Sequence, residues 1–92
     1  MPKISGMDNR VRVPKVLVVD DNVQNVELLE ALLNISGYEV MKAYNGKEAI
    51  QKVAEFDPDI ILLDVLMPIM DGYETCHHLK QDKKTRFIPI VL

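Results

Sequence analysis

The sequence predicts an α/β fold, a parallel sheet wound with helices on both faces. Three short apolar runs carry that expectation: KVLVV (15–19), DIILL (59–63) and FIPIVL (87–92). They are nearly continuous and rich in branched residues, as strands covered on both sides are. Between them lie stretches whose apolar residues recur at helical spacing. The order therefore reads strand, helix, strand, helix, strand, helix, strand, which favours parallel pairing through crossover helices. A chain of 92 residues supports one small domain.

Residues 1–14, with two prolines, a glycine and scattered charge, are expected as a mobile leader, so the domain starts near Lys15. After the first strand, Val26, Leu29, Leu32 and Leu33 mark a helix over Val23–Ile35, and Ser36-Gly37 supplies its stop. YEVMKAY (38–44) is a weaker strand. Asn45-Gly46 then turns the chain into KEAIQKVAEF, where Ala49, Ile50, Val53 and Ala54 form one face. Asp57 and Asp59 flank Pro58 as turn residues before the third strand. A last helix is expected over Tyr73–Gln81, with Tyr73, Cys76 and Leu79 inward. KQDKKTR (80–86) reads as a solvated charged loop leading to the fourth strand.

Composition narrows the function classes. Hydrophobic content of 48% with 27% charged residues suits a globular domain and not a disordered one. A net charge of -3 gives no electrostatic case for nucleic acid or an anionic membrane. The single cysteine, Cys76, cannot form an internal disulfide and suits a reducing cytoplasm. No apolar stretch approaches the roughly 20 residues of a membrane span, and the N-terminus lacks the apolar core of a secretion signal.

Chemistry concentrates at strand ends. In LVVDDN (17–22), Asp20 and Asp21 follow the first strand, and Asp64 follows the third. Adjacent acids of this kind often form a solvated turn or a helix N-cap. In an open parallel sheet, however, functional groups gather beyond the carboxyl ends of strands, where the strand order reverses. If the first and third strands are neighbours, the three aspartates converge there. They would repel one another alone, yet they offer the hard oxygen ligands that suit Mg²⁺. Such an ion favours phosphoryl chemistry, and a strand-end aspartate can be the nucleophile. Other residues read as structural. Asp71-Gly72 is turn chemistry, and Met41, Met67 and Met70 are packing residues. His77 and His78 beside Cys76 point about 100° apart on a helix and cannot converge on a metal.

LVVDDN together with DIILLDVLMPIMDGYE (59–74) resembles the receiver domain of bacterial two-component response regulators. The similarity runs from about Lys15 to Leu92 and rests on the acid pair, Asp64, Met67-Pro68 and Asp71-Gly72. It implies a flavodoxin-like doubly wound sheet with strand order 2-1-3-4. It implies Asp64 as phosphoacceptor, with Asp20, Asp21, Asp64 and the backbone carbonyl of Leu66 as the Mg²⁺ ligands, Asp20 acting mostly through water. The implied partner is a sensor histidine kinase or phosphotransfer protein, in the cytoplasm, with no direct contact to nucleic acid or membrane.

The sequence departs from the family pattern after the fourth strand. Receivers normally continue with a Ser or Thr, a fourth helix, a fifth strand ending in Lys, and a fifth helix. The expectation is therefore a receiver over 15–92 that is incomplete at its C-terminus, lacking the fifth strand and the last two helices. Its chemistry would be at most slow self-phosphorylation and self-dephosphorylation. An alternative is a non-phosphorylated interaction module or an inactive fragment. A phosphatase of the haloacid-dehalogenase type is excluded, because the general acid it needs two residues after the nucleophile is replaced by Leu66. An output domain beyond residue 92 stays open. So does self-association, because IILL (60–63) is apolar on both faces and no fifth helix follows to cover one of them.

Overall fold

The computed structural model describes residues 12–64 and 71–92. Four strands, β1 (Lys15–Val19), β2 (Glu39–Ala43), β3 (Ile60–Leu63) and β4 (Ile90–Val91), form one sheet in the order β2-β1-β3-β4. Every pairing is parallel. Three helices connect them: α1 (Val23–Ile35), α2 (Gly46–Phe56) and α3 (Gly72–Gln81). This is the doubly wound arrangement predicted.

Alternation along β1 explains the two layers. Leu17 and Val19 face one side and pack with Ala49 and Val53 of α2, Leu79 of α3, and Ile61 and Leu63 of β3. Val16 and Val18 face the other side and pack against Val26 of α1, with Leu29, Leu33, Ile60 and Leu62 at the margin. All four residues, Val16 to Val19, are buried, as a central parallel strand requires. On the α1 side, Ile60 and Leu62 of β3 are only half-buried, and Val91 and Leu92 are exposed.

Helix starts follow local capping rules. Asn22 caps α1 by accepting from the Asn25 N–H at 3.1 Å, and Asn45 caps α2 by accepting from the Glu48 N–H at 2.9 Å. The Glu48 carboxylate reaches back to the Tyr44 N–H at 2.8 Å, close to the reciprocal pattern of a capping box. Asp71, read from sequence as a turn residue, caps α3 by accepting from the Glu74 N–H at 2.8 Å. Gly37, at φ +94°, ends α1 in a conformation that a side chain would strain.

Several inward faces differ from the expectation. Tyr73 on α3 is 65% exposed, and Thr75 takes the buried place, its hydroxyl donating to the Asp71 carbonyl at 2.9 Å. The inward stripe of α3 is Gly72, Thr75 and Leu79, with Cys76 packed beside it, so Cys76 and Leu79 face the core as expected and Tyr73 does not. On α1, Leu32 is exposed, and on α2, Ala54 is exposed while Phe56 is buried. The run 87–92 yields only the two-residue β4, with Pro89, which has no N–H to donate, just before it and a turn held by Thr85 and Lys80 preceding that. The Thr85 hydroxyl donates to the Leu79 carbonyl at 2.6 Å, and Lys80 Nζ donates to the Arg86 and Ile88 carbonyls at 2.9 Å. Phe87 is left 82% exposed. Of the leader, residues 1–11 lie outside the described residues. Arg12 pairs with Asp59 at 2.9 Å, and the Pro14 carbonyl accepts from the Glu39 N–H at 2.9 Å.

Candidate metal centre

The sheet register brings the strand-end acids together. Val19 of β1 lies opposite Leu63 of β3, so the residues that follow, Asp20 and Asp64, leave the sheet side by side. Two backbone bonds fix that exit: the Asp64 N–H donates to the Val19 carbonyl at 2.8 Å, and the Asp20 N–H to the Ala43 carbonyl at 3.1 Å. Asp20 and Asp64 are half-buried and Asp21 is exposed. Each offers one carboxylate oxygen, and the three oxygens lie within 4.8 Å of one another. An open groove of about 240 Å³ runs from Asp20 and Asp64 between Leu29 of α1 and Val91 and Leu92, with Val18, Leu62 and Leu63 along it.

The donor set fits a hard divalent cation. Oxygens on opposite sides of an Mg²⁺ octahedron are about 4.1 Å apart, from metal–oxygen distances of about 2.05 Å. A spread of 4.8 Å needs less than an ångström of side-chain adjustment, or an intervening water. Leu66, whose carbonyl was expected as a further ligand, lies outside the described residues, as do Met67 and Met70. His77 and His78 are exposed and Cys76 is half-buried against the core, so the three form no cluster.

Two residues at this site were missed in the sequence. The Asn22 N–H donates to Asp20 Oδ1 at 2.9 Å, and Asn25 Nδ2 donates to Asp20 Oδ2 at 3.4 Å. The available signal was Asn22 as an N-cap with Asn25 three residues on, one helical turn from the acid pair. Asp57 and Asp59 lie at the opposite end of the sheet. Asp57 ends α2 with φ 52°, and Asp59 accepts from the Lys15 N–H at 2.7 Å and from Arg12. The Lys15 amide, with Arg12 beside it, holds the Asp59 carboxyl below the usual carboxylate range. The Glu30 carboxylate, 3.2 Å from Lys42, raises the Lys42 ammonium.

Residues 16–92 match the family model of the response regulator receiver domain. The chain belongs to that family. The receiver is 54% identical over 78 residues to the response regulator PleD of Caulobacter vibrioides, covering 85% of this chain and 17% of PleD. It is similar in structure to the N-terminal domain of a response regulator receiver protein from Methanoculleus marisnigri, with a TM-score of 0.83 and 37% identity, covering 86% of this chain and 64% of that one. It also resembles the response regulator protein TrrA of Thermotoga maritima, solved in complex with Mg²⁺ and BeF, with a TM-score of 0.74 and 38% identity over 78% of this chain and 63% of that one. Among the described residues, no helix is long and apolar enough to cross a membrane.

Proposed function

We propose that this receiver takes a phosphoryl group onto Asp64 with Mg²⁺ held by Asp20, Asp21, Asp64 and the Leu66 carbonyl. The observation that carries it is the convergence of three carboxylate oxygens within 4.8 Å at the carboxyl ends of β1 and β3. TrrA, a relative in structure, was solved with Mg²⁺ and BeF, which supports the choice of ion and of chemistry. When bound, the ion supplies charge neutralisation for the phosphoryl oxygens. The protein's own contribution is position. Asp64, at the end of β3, lines an open groove beside Asp20, and in this reading the phosphoryl donor approaches through it. Asp20 and Asp21 set the negative charge that a divalent cation and a phosphoryl group then share.

The donor in this reading is a sensor histidine kinase or phosphotransfer protein in the cytoplasm. The receiver acts as a switch and not as a turnover enzyme beyond slow self-phosphorylation and self-dephosphorylation. The match to PleD spans 17% of that relative, so most of PleD lies outside the matched segment. An output domain joined to this receiver completes the proposal. Intact-mass measurement after incubation with Mg²⁺ and acetyl phosphate tests it. The expected result is a gain of one phosphoryl group that disappears in Asp64→Asn and when EDTA replaces Mg²⁺. Labelling that persists in Asp64→Asn would overturn the assignment.

A further inference from the structure

Resting on that metal site, we infer that Asn25 is a positioning residue that commits Asp20 to a metal-bound water and so biases the site towards Mg²⁺ over Ca²⁺. The two adjacent aspartates are held very differently. Both Asp20 oxygens are engaged, Oδ1 by the Asn22 N–H at 2.9 Å and Oδ2 by the Asn25 amide at 3.4 Å. The plane of the Asp20 carboxylate is thereby set from the α1 side. Asp21 is exposed and accepts no hydrogen bond from another described residue. Its carboxylate is the one able to turn onto a cation directly.

The backbone of Asn25 is fixed independently of its side chain, because its N–H donates to the Asn22 cap at 3.1 Å. The side-chain amide is therefore available as an outer-shell donor at no cost to the cap. Outer-shell donors of this kind fix the orientation of ligating groups, and their loss typically costs 10–100-fold in metal affinity. Mg²⁺ keeps several waters in a rigid octahedron. Ca²⁺ takes more oxygens directly, often both from one carboxylate. An Asp20 held on Oδ1 by Asn22 and on Oδ2 by Asn25 is restrained from rotating both oxygens onto one cation. It can still accept from a coordinated water, since each carboxylate oxygen has a second lone pair. Removing the amide leaves Asp20 held through Oδ1 alone, so its carboxylate can rotate towards bidentate contact, which suits Ca²⁺.

The test titrates the metal-free 92-residue chain with MgCl₂ and, separately, CaCl₂, following backbone amide shifts in the parent and in Asn25→Ala. The expected result is Mg²⁺ binding about tenfold weaker in the variant, at the low end of the range because the 3.4 Å bond is long, with Ca²⁺ binding unchanged or tighter. Thermal midpoints in EDTA should coincide, since alanine is a good helix former and the cap survives. A fall in the Mg²⁺-to-Ca²⁺ preference supports the inference, and an unchanged or increased preference overturns it. A parent that binds no Mg²⁺ overturns the metal site itself and this inference with it. A parent that binds Mg²⁺ while the variant keeps the same preference overturns only the role of Asn25.

Discussion

Replacing Asp21 with Asn should stabilise the metal-free protein and abolish its response to Mg²⁺. Two unit charges 4.8 Å apart, the outer limit for these carboxylate oxygens, repel by about 0.9 kcal/mol in bulk water. Asp21 is exposed, so the high dielectric applies, and it faces two such partners, Asp20 and Asp64. At about 0.01 M ionic strength the Debye length is about 30 Å, leaving roughly 1.5 kcal/mol of repulsion. One effect opposes this. Asp21 sits just before the Asn22 cap of α1, where a negative charge gains about 0.3–1 kcal/mol from the helix dipole. The repulsion is the larger of the two, and the net gain is about 0.5–1 kcal/mol. For a domain of this size that raises the midpoint by about 2–8 °C. Added Mg²⁺ at a hundred times its Kd should stabilise the parent by about 2.7 kcal/mol and the variant much less, so the order of stability reverses. Thermal melts of both proteins in EDTA and in Mg²⁺, each at low and at about 1 M salt, read this out. The metal-free gain should shrink at high salt, where the Debye length falls to about 3 Å. An Asp21→Asn midpoint at or below the parent's in low-salt EDTA, or an equal Mg²⁺ shift in both proteins, would refute the reasoning.

Three further outcomes follow from the packing and the caps. Asp59→Asn should lower the urea midpoint at pH 7, and the difference from the parent should shrink as pH falls below the usual carboxylate range. The folded Asp59 carboxyl is lowered by the Lys15 amide and Arg12, so its stabilisation is complete above the usual carboxylate range and is lost as pH falls through the lowered value. Leu17→Ala, at 0% exposure between β1 and α2, should cost about 2–5 kcal/mol in urea denaturation, whereas Leu28→Ala, at 60% exposure, should stay within about 0.5 kcal/mol. Asp71→Ala removes the cap of α3 and should cost about 0.5–2 kcal/mol by the same assay, with Asp71→Ser recovering most of it.

Strands and helices were legible because their patterns are strong. Val16 to Val19 form an uninterrupted branched run, and Val23–Ile35 ends at a glycine whose positive φ the sequence signals directly. The acid cluster was legible too, since parallel strands of matched register deliver the residues after them to one place. The misjudged faces have a common origin. Tyr73, Leu32 and Ala54 are apolar residues at edges of helical stripes, and a shift of one residue in a helix turns its face by about 100°. Which edge is buried depends on the neighbouring layer, which no single helix encodes. The fourth strand was overread for a different reason. FIPIVL has strand composition, yet Thr85 and Lys80 bond to carbonyls of the turn before it and Pro89 brings no N–H to the ladder, its carbonyl alone accepting from the Ile61 N–H at 3.0 Å. Asn25 escaped notice because its use depends on the 3.4 Å approach to Asp20, a feature of three dimensions and not of spacing alone.

Direction along the sheet separates the acids more sharply than residue type does. Asp20, Asp21 and Asp64 stand at the carboxyl ends of β1 and β3, and Asp57 and Asp59 stand at the opposite end, just before β3 begins. At that opposite end the chain supplies cations and amide donors: Arg12, the Lys15 N–H, and Lys15 Nζ on the Phe56 carbonyl at 2.8 Å. Asp59 is satisfied within the fold and serves as a clip between the segment entering β1 and the start of β3. At the carboxyl ends, Asp20 accepts from the Asn22 N–H and the Asn25 amide, both neutral. Neutral donors orient a carboxylate without cancelling its charge. Asp20 therefore keeps its negative charge for a divalent cation while its carboxylate is already oriented. A lysine in place of Asn25 would reverse that arrangement. It would neutralise Asp20 from within and compete with the cation for the same site. Asn25→Lys should accordingly raise the metal-free midpoint and weaken Mg²⁺ binding more than Asn25→Ala does. Equal Mg²⁺ affinity in the two variants would show that the field at this end of the sheet is not what the site depends on.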